Sequence, residues 1–162
     1  MRVSELKIFK WEENKRKQLR YIKPGDIFCF DLGQMGYGLG RVMTRNSLGH
    51  VVEIFKEVLD KPKITCSNFS RVGDPVILDS YSLFDRKTEG DWRIIAHDPN
   101  YTAPLEEPIR FIYGVANNRT EVDIFDNEYP SRSSPEELPR YSPKGDMQIK
   151  EIFIPMLAKF SE

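Results

Sequence analysis

Residues 23–42 read K-P-G-D-I-F-C-F-D-L-G-Q-M-G-Y-G-L-G-R-V, and the reading of this stretch decides the fold. Pro24, Gly25 and Asp26 form a turn that feeds the apolar run Ile27, Phe28, Cys29, Phe30. Gly33 to Gly36 closes a short reversal, and Tyr37 to Met43 returns as a second strand. Glycines stand at 33, 36, 38 and 40. On a return strand they cost backbone entropy, so they imply sharp curvature, a bulge or another backbone passing close by. The expectation is a mainly β (β-rich α+β) fold: a curved antiparallel sheet or small barrel-like domain with two or three short helices.

Working outward, Leu6, Ile8, Phe9 and Trp11 suggest an edge strand. Glu12 to Arg20 is charged, with Glu12 and Glu13 four residues before Arg16 and Lys17, a spacing that supports one solvated helical turn. Lys15, Arg16 and Lys17 read as a solvated face or, alternatively, as a basic patch for phosphate. On the other side, residues 46–49 make a turn and His50 to Val58 a third strand, giving an antiparallel meander over about residues 26–58. Residues 59–73 read mostly as loop. Val76 to Leu78 with Tyr81 to Phe84 read as a fourth strand or strand pair, and Trp92 to His97 as a fifth. Residues 98–108, with three prolines, are an exposed connector.

A second hairpin follows. Ile109, Phe111, Tyr113 and Val115 share one face, Asn117 and Asn118 reverse the chain, and Val122 and Ile124 return inward. Within the polar stretch 126–146, residues 134–137 carry the signature of a single helical turn stopped by Pro139. Ile149, Ile152, Phe153, Met156, Leu157 and Phe160 recur at helical spacing, but Pro155 interrupts them. A strand over 149–154 followed by a helix opened by Pro155 accommodates both facts.

The 162 residues suit one domain spanning 1–162, with 40% hydrophobic and 30% charged residues and a formal net charge of −1. Near-neutrality gives no global argument for nucleic-acid binding, and none is expected. No apolar run reaches the roughly 20 residues of a membrane helix, and the N-terminus lacks a signal-peptide core. The two cysteines, Cys29 and Cys66, form no disulfide framework and fit reduced, buried thiols in a cytoplasmic protein.

Chemistry-bearing motifs are sparse. The glycines of 33–40 lead into a strand, not into the Lys-Ser/Thr and helix of a phosphate loop. His50 and His97 have no nucleophile elbow beside them, and they and the cysteines are scattered singly, so no enzyme, metal or cofactor is expected. Arg41 must reach solvent or a partner; its simplest partner is an internal carboxylate, Asp26 or Asp31, on the adjacent strand. The strongest surface feature is acidic: Glu121, Asp123, Asp126 and Glu128 on the second hairpin, preceded by Glu106 and Glu107. It is either a solvated face or a surface that docks a basic partner.

Residues 23–28, K-P-G-D-I-F, followed by Gly36-Tyr37-Gly38-Leu39-Gly40-Arg41-Val42 and the strand Val51 to Phe55, resemble the opening of the immunity protein 26 family over about residues 22–58. The resemblance implies a bacterial immunity protein that binds and neutralises a cognate toxin domain of a polymorphic toxin or contact-dependent inhibition system. It supplies no catalytic residues. A nuclease toxin would be basic, and an acidic surface would speed its encounter. The partner-binding expectation therefore rests on Glu121, Asp123, Asp126, Glu128, Tyr37 and Arg41. The alternative is a small β-barrel module that binds RNA or a small ligand through Tyr37, Arg41 and Trp92.

Overall fold

A computed structural model describes residues 5–65, 68–115, 117–131 and 137–160. In chain order the strands are β1 (Lys7–Ile8), β2 (Asp26–Asp31), β3 (Tyr37–Asn46), β4 (Gly49–Ile54), β5 (Val76–Leu78), β6 (Trp92–His97), β7 (Arg110–Val115), β8 (Asn118–Asp123) and β9 (Glu128–Pro130), and the helix α1 is Asp146–Ala158. Single 3-10 turns occupy Leu19–Tyr21 and Gly33–Met35. Six strands form a sheet ordered β1-β6-β2-β3-β4-β5 and three form a second ordered β7-β8-β9. All strand pairings are antiparallel. The fold is mainly β, as expected, and takes the open form: neither sheet closes into a barrel.

The central hairpin explains its own glycines. Gly36 turns at φ 108°, a left-handed conformation, while the Leu59 carbonyl sits where its side chain would be. On the return strand, Gly38 pairs with Phe30 and Gly40 with Phe28. Each phenyl ring lies over the glycine opposite, filling the space a side chain would need. Trp92 completes one rung, paired with Phe30 and stacked on it at 4.1 Å between centroids and 6° between planes.

Alternation along the strands then divides the apolar side chains between two faces. Phe28, Phe30, Val52, Ile54, Trp92 and Ile94 pack with Phe84 against Ile149, Phe153 and Leu157 of α1. Full burial of such a side chain contributes about 1.5–3 kcal/mol. Ile27, Cys29, Leu39 and Ile95 lie with Leu6, Phe55 and Leu59 in a second cluster. Met43, Val51 and Ile77 meet Phe111 and Ile124 of the second sheet in a third. Residues 139–144 tie both sheets: Arg140 bridges to Ile112 on β7, and Lys144 to Leu78 on β5.

Four local expectations are corrected. Glu12 to Arg20 is turns and extended chain ending in the 3-10 turn, because Arg16 is drawn to the Asp85 carboxylate and carbonyl rather than to an intrahelical partner. Tyr81–Asp85 is one turn of π-helix, not a strand; it buries Leu83 and Phe84 on one side, as a turn can and an exposed edge strand could not. On β7, Phe111 and Ile112 are both buried and Val115 is 77% exposed, because residues 139–141 run beside the strand and its tip projects past the core. The C-terminal segment is one continuous helix. Pro155 lies on its exposed side, and Glu151, whose carbonyl loses its donor, is exposed too, so water can replace the missing bond. The Gln148 side chain accepts from the Gly145 N–H at the start of this helix, and Trp92 Nε1 donates to Asp146 at 2.8 Å, anchoring it to the sheet. Residues 134–136 of the helical turn expected at 134–137, and Cys66, lie outside the described residues.

Candidate functional site

The second sheet gathers most of the acidic residues read from the sequence, but gives them different work. Glu121 is 8% exposed and accepts from Arg110 Nη1 and Ser131 Oγ. Asp123 organises the β8–β9 turn, accepting from the backbone N–H groups of Phe125 and Asn127, the Asn127 amide and the Tyr129 hydroxyl. Burial pushes its carboxyl up, but these bonds outweigh it and hold the group below its ordinary range. Asp126, at φ 66°, accepts from the Ser47 N–H and hydroxyl and from Tyr141, pinning this turn to the β3–β4 turn. Glu128 is exposed and takes one bond from Tyr113. Asn127 and Tyr129, which shape the turn, carry no charge and gave no signal in the sequence.

Tyr37 and Arg41 stand apart, on β3. Tyr37 packs edge-on against Trp11 at 5.5 Å. Arg41 makes an ion pair, as expected, but its partners are corrected: Glu53 at 3.0 Å and Asp98 at 3.8 Å, not Asp26 or Asp31. The register explains this. Arg41 lies opposite Ile27 on β2 and opposite Glu53 on β4. Asp26 is taken by His97 and the Lys23 N–H, and Asp31 by the Gly33 N–H. Glu53 also receives Arg71, which in turn bonds Glu107, so a chain of alternating charges runs from β3 to the 98–108 connector. The Arg41 guanidinium lies 4.2 Å from the Tyr101 ring centroid. Trp92 is fully buried with its N–H bonded, so it offers no surface for stacking RNA or a small ligand.

Between that connector and the β8–β9 turn lies a groove of about 180 Å³. Leu105, 80% exposed, and Phe125, 43% exposed, flank it. Glu106, Glu107 and Asp123 supply its negative charge and Arg110 a single cation. Two large apolar side chains here stand in water beside carboxylates. Sequence reading found the carboxylates; the connector that brings Leu105 to Phe125 gave no signal beyond its prolines.

Elsewhere two reactive side chains are shut off from solvent. Cys29 is buried, and that burial pushes its thiol up to about 12. His50 is buried, and burial with the Arg45 charge nearby pulls its imidazole down to about 4; Nδ1 is 2.7 Å from Ser80 Oγ. Among the described residues, no group of three or more His, Cys, Asp and Glu side chains is placed to hold a metal ion. None of their helices is long and apolar enough to cross a membrane.

The class that emerges is an open two-sheet antiparallel β protein with one packed helix and an acidic, partly apolar groove beside its second sheet. The sequence profile described as Immunity protein 26 matches residues 23–123, more than half of the chain, and the chain belongs to that family. The matched span contains the central hairpin, the Arg41 network and most of the groove, reaching well beyond the resemblance read at residues 22–58. No curated protein and no solved structure matches the chain.

Proposed function

We propose that the protein is an immunity protein that binds and neutralises a cognate basic toxin domain in the cytoplasm of the cell that makes it, and that the toxin docks on the acidic groove. The observation that carries this reading is the pairing of exposed Leu105 and Phe125 with Glu106, Glu107 and Asp123 across one groove. Apolar anchors supply interface energy once desolvated. Carboxylates around them raise the encounter rate with a basic partner and fix its register. A nuclease fits such chemistry, because it must attract phosphate. Glu128 extends the acidic rim, whereas Glu121 and Asp126 hold the shape of the sheet and its turn. Arg41 supports the connector from behind.

The test is binding kinetics with the cognate toxin domain at two salt concentrations. Glu106→Gln and Glu128→Gln are expected to lower the on-rate, with the difference shrinking as salt rises. Leu105→Ala and Phe125→Ala are expected to raise the off-rate, each weakening binding by about 1–2 kcal/mol if they are anchors. Wild-type kinetics in all four variants would place the interface elsewhere.

A further inference from the structure

The other end of the first sheet holds a cavity of about 540 Å³ that the toxin-binding reading does not use. Strand register builds it. Lys7 pairs with His97, and His97 pairs with Asp26, so one rung across β1, β6 and β2 carries an ammonium, an imidazole and a carboxylate abreast. Residues 16–18 fold over this rung, fixed by Arg16 on Asp85 and by the Lys17 N–H on the Phe84 carbonyl. They bring the Lys17 side chain to the cavity, and Lys23 closes it from the start of β2.

The charges around the cavity are unbalanced. Arg16 is spent on Asp85. Among the described residues, Lys7, Lys17 and Lys23 have no carboxylate within ion-pair distance. Two of these ammoniums converge on one ring: Lys7 Nζ lies 5.5 Å and Lys17 Nζ 5.7 Å from the Phe9 centroid. Like charges gathered without a counterion cost free energy unless an anion joins them. Asp26 does not fill that role, being 1% exposed and turned inward to the Lys23 N–H and to His97 Nδ1 at 2.8 Å. Its bond orients the imidazole and leaves Nε2 as the ring nitrogen available to a ligand. Tyr21, 55% exposed, stands at the rim, with the Arg20 guanidinium 4.9 Å from its ring centroid.

We propose that this cavity binds a phosphate monoester of mononucleotide size, its phosphate held by Lys7, Lys17, Lys23 and the Nε2–H of a His97 imidazolium whose Nδ1–H is given to Asp26. Three ammoniums and an imidazolium suit a dianion better than a single carboxylate. Lysine binds phosphate as a point charge without the fixed fork of arginine. The volume falls within the range of about 300–1,000 Å³ typical of small-molecule sites, and the Tyr21 ring with the Arg20 guanidinium beside it offers a base planar groups to stack on. The site stands independently of the groove and would remain if the toxin docked elsewhere.

Amide-resolved NMR titration of the full chain at low salt provides the test, with AMP, inorganic phosphate and adenosine as probes. AMP is expected to shift the amides around Lys7, Lys17, Lys23 and His97; phosphate should shift the same amides more weakly, and adenosine should bind about tenfold less well than AMP. Lys7→Ala changes an exposed side chain and Lys17→Ala a half-buried one whose ammonium has no carboxylate partner among the described residues, so both should keep the melting temperature to within a few degrees while weakening AMP by about tenfold each; Lys61→Ala, away from the cavity, should change nothing. Absence of shifts with AMP, equal binding of adenosine, or unchanged affinity in both lysine variants would overturn the proposal. So would a glutamate-rich peptide that binds the same amides more tightly than AMP, because the site would then be a protein-docking surface.

Discussion

A methyl group added at Gly40 or Gly38 is a direct test of why the central hairpin is built as it is. At Gly40 the new carbon would stand 2.6 Å from the Glu53 carbonyl oxygen and 2.8 Å from Phe28 Cε2. At Gly38 it would stand 2.7 Å from both Cε atoms of Phe30. Neither ring can easily withdraw: Phe30 is stacked on Trp92, and Phe28 has Phe84 and Trp92 at 5.8 and 5.5 Å. Overpacking of this kind costs about 1–3 kcal/mol, against which the lower entropy of an unfolded alanine returns about 0.4–1 kcal/mol. The net expectation for Gly40→Ala is a loss of about 1–2 kcal/mol, or roughly 2–8 °C in melting temperature for a chain of this size. Gly38→Ala should lose less, because only a side chain and no carbonyl opposes it. The steric cause predicts coupling. Pairing Gly40→Ala with Phe28→Leu, or Gly38→Ala with Phe30→Leu, should cost less than the sum of the single changes by about 1 kcal/mol. Urea unfolding of the two cycles measures this. Strict additivity, or single variants as stable as wild type, would refute the view that each ring sits in the space of the glycine opposite.

Two further predictions concern stability alone. Burial holds His50 at about 4 in the folded chain against an ordinary value of 6.5, so its contribution is fully present above about pH 6.5 and is lost as pH falls toward 4. Linkage gives about 2 kcal/mol lost between pH 7 and pH 5. Urea titrations at the two pH values should show that loss in wild type and a markedly smaller one in His50→Gln; equal losses would show that His50 is not the titrating group. Pro155→Ala restores a donor on the exposed side of α1 and should stabilise by about 1 kcal/mol, and a lower melting temperature would mean that the proline ring is a packing group.

How much of this was legible varied with how local the cause is. The hairpin of β2 and β3, the meander into β4, strand β6 and the hairpin of β7 and β8 were readable because their turn residues and alternating side chains lie within a few positions of each other. Tyr81 to Phe84 misled because a four-residue apolar run has no period to separate a strand from a turn. The helix through Pro155 was obscured because a breaker's cost depends on whether its orphaned carbonyl meets water, which the sequence does not state. Site residues suffered most. Glu121 and Asp126 look as free as Glu128 in the sequence, yet Asp126 is held by Ser47, 79 residues away. The cavity was less legible still: Lys7 meets His97 only through the rung of β1, β6 and β2, and Lys17 joins them only through the contacts of residues 16 and 17 with Asp85 and Phe84.

The overall charge of −1 illustrates the same point in electrostatic terms. Near-neutrality argues against a protein that recognises charge by its total field, and so against a nucleic-acid binder of the usual basic kind. It says nothing about fields that act over a Debye length of about 8–10 Å, because a chain can sum to zero while collecting opposite signs in different places. This fold does so with neighbouring residues at the end of β6. His97 is bound to Asp26 beside three lysines that have no carboxylate partner among the described residues, while Asp98 joins Arg41, Glu53, Arg71 and Glu107 behind the connector that carries the acidic groove. Where His97 takes part, positive charge is left over. Where Asp98 takes part, the cations are consumed internally and Glu106 and Asp123 remain along the groove. The sequence separates these two systems by a single peptide bond, and only the pairing of the strands assigns each side chain to its own.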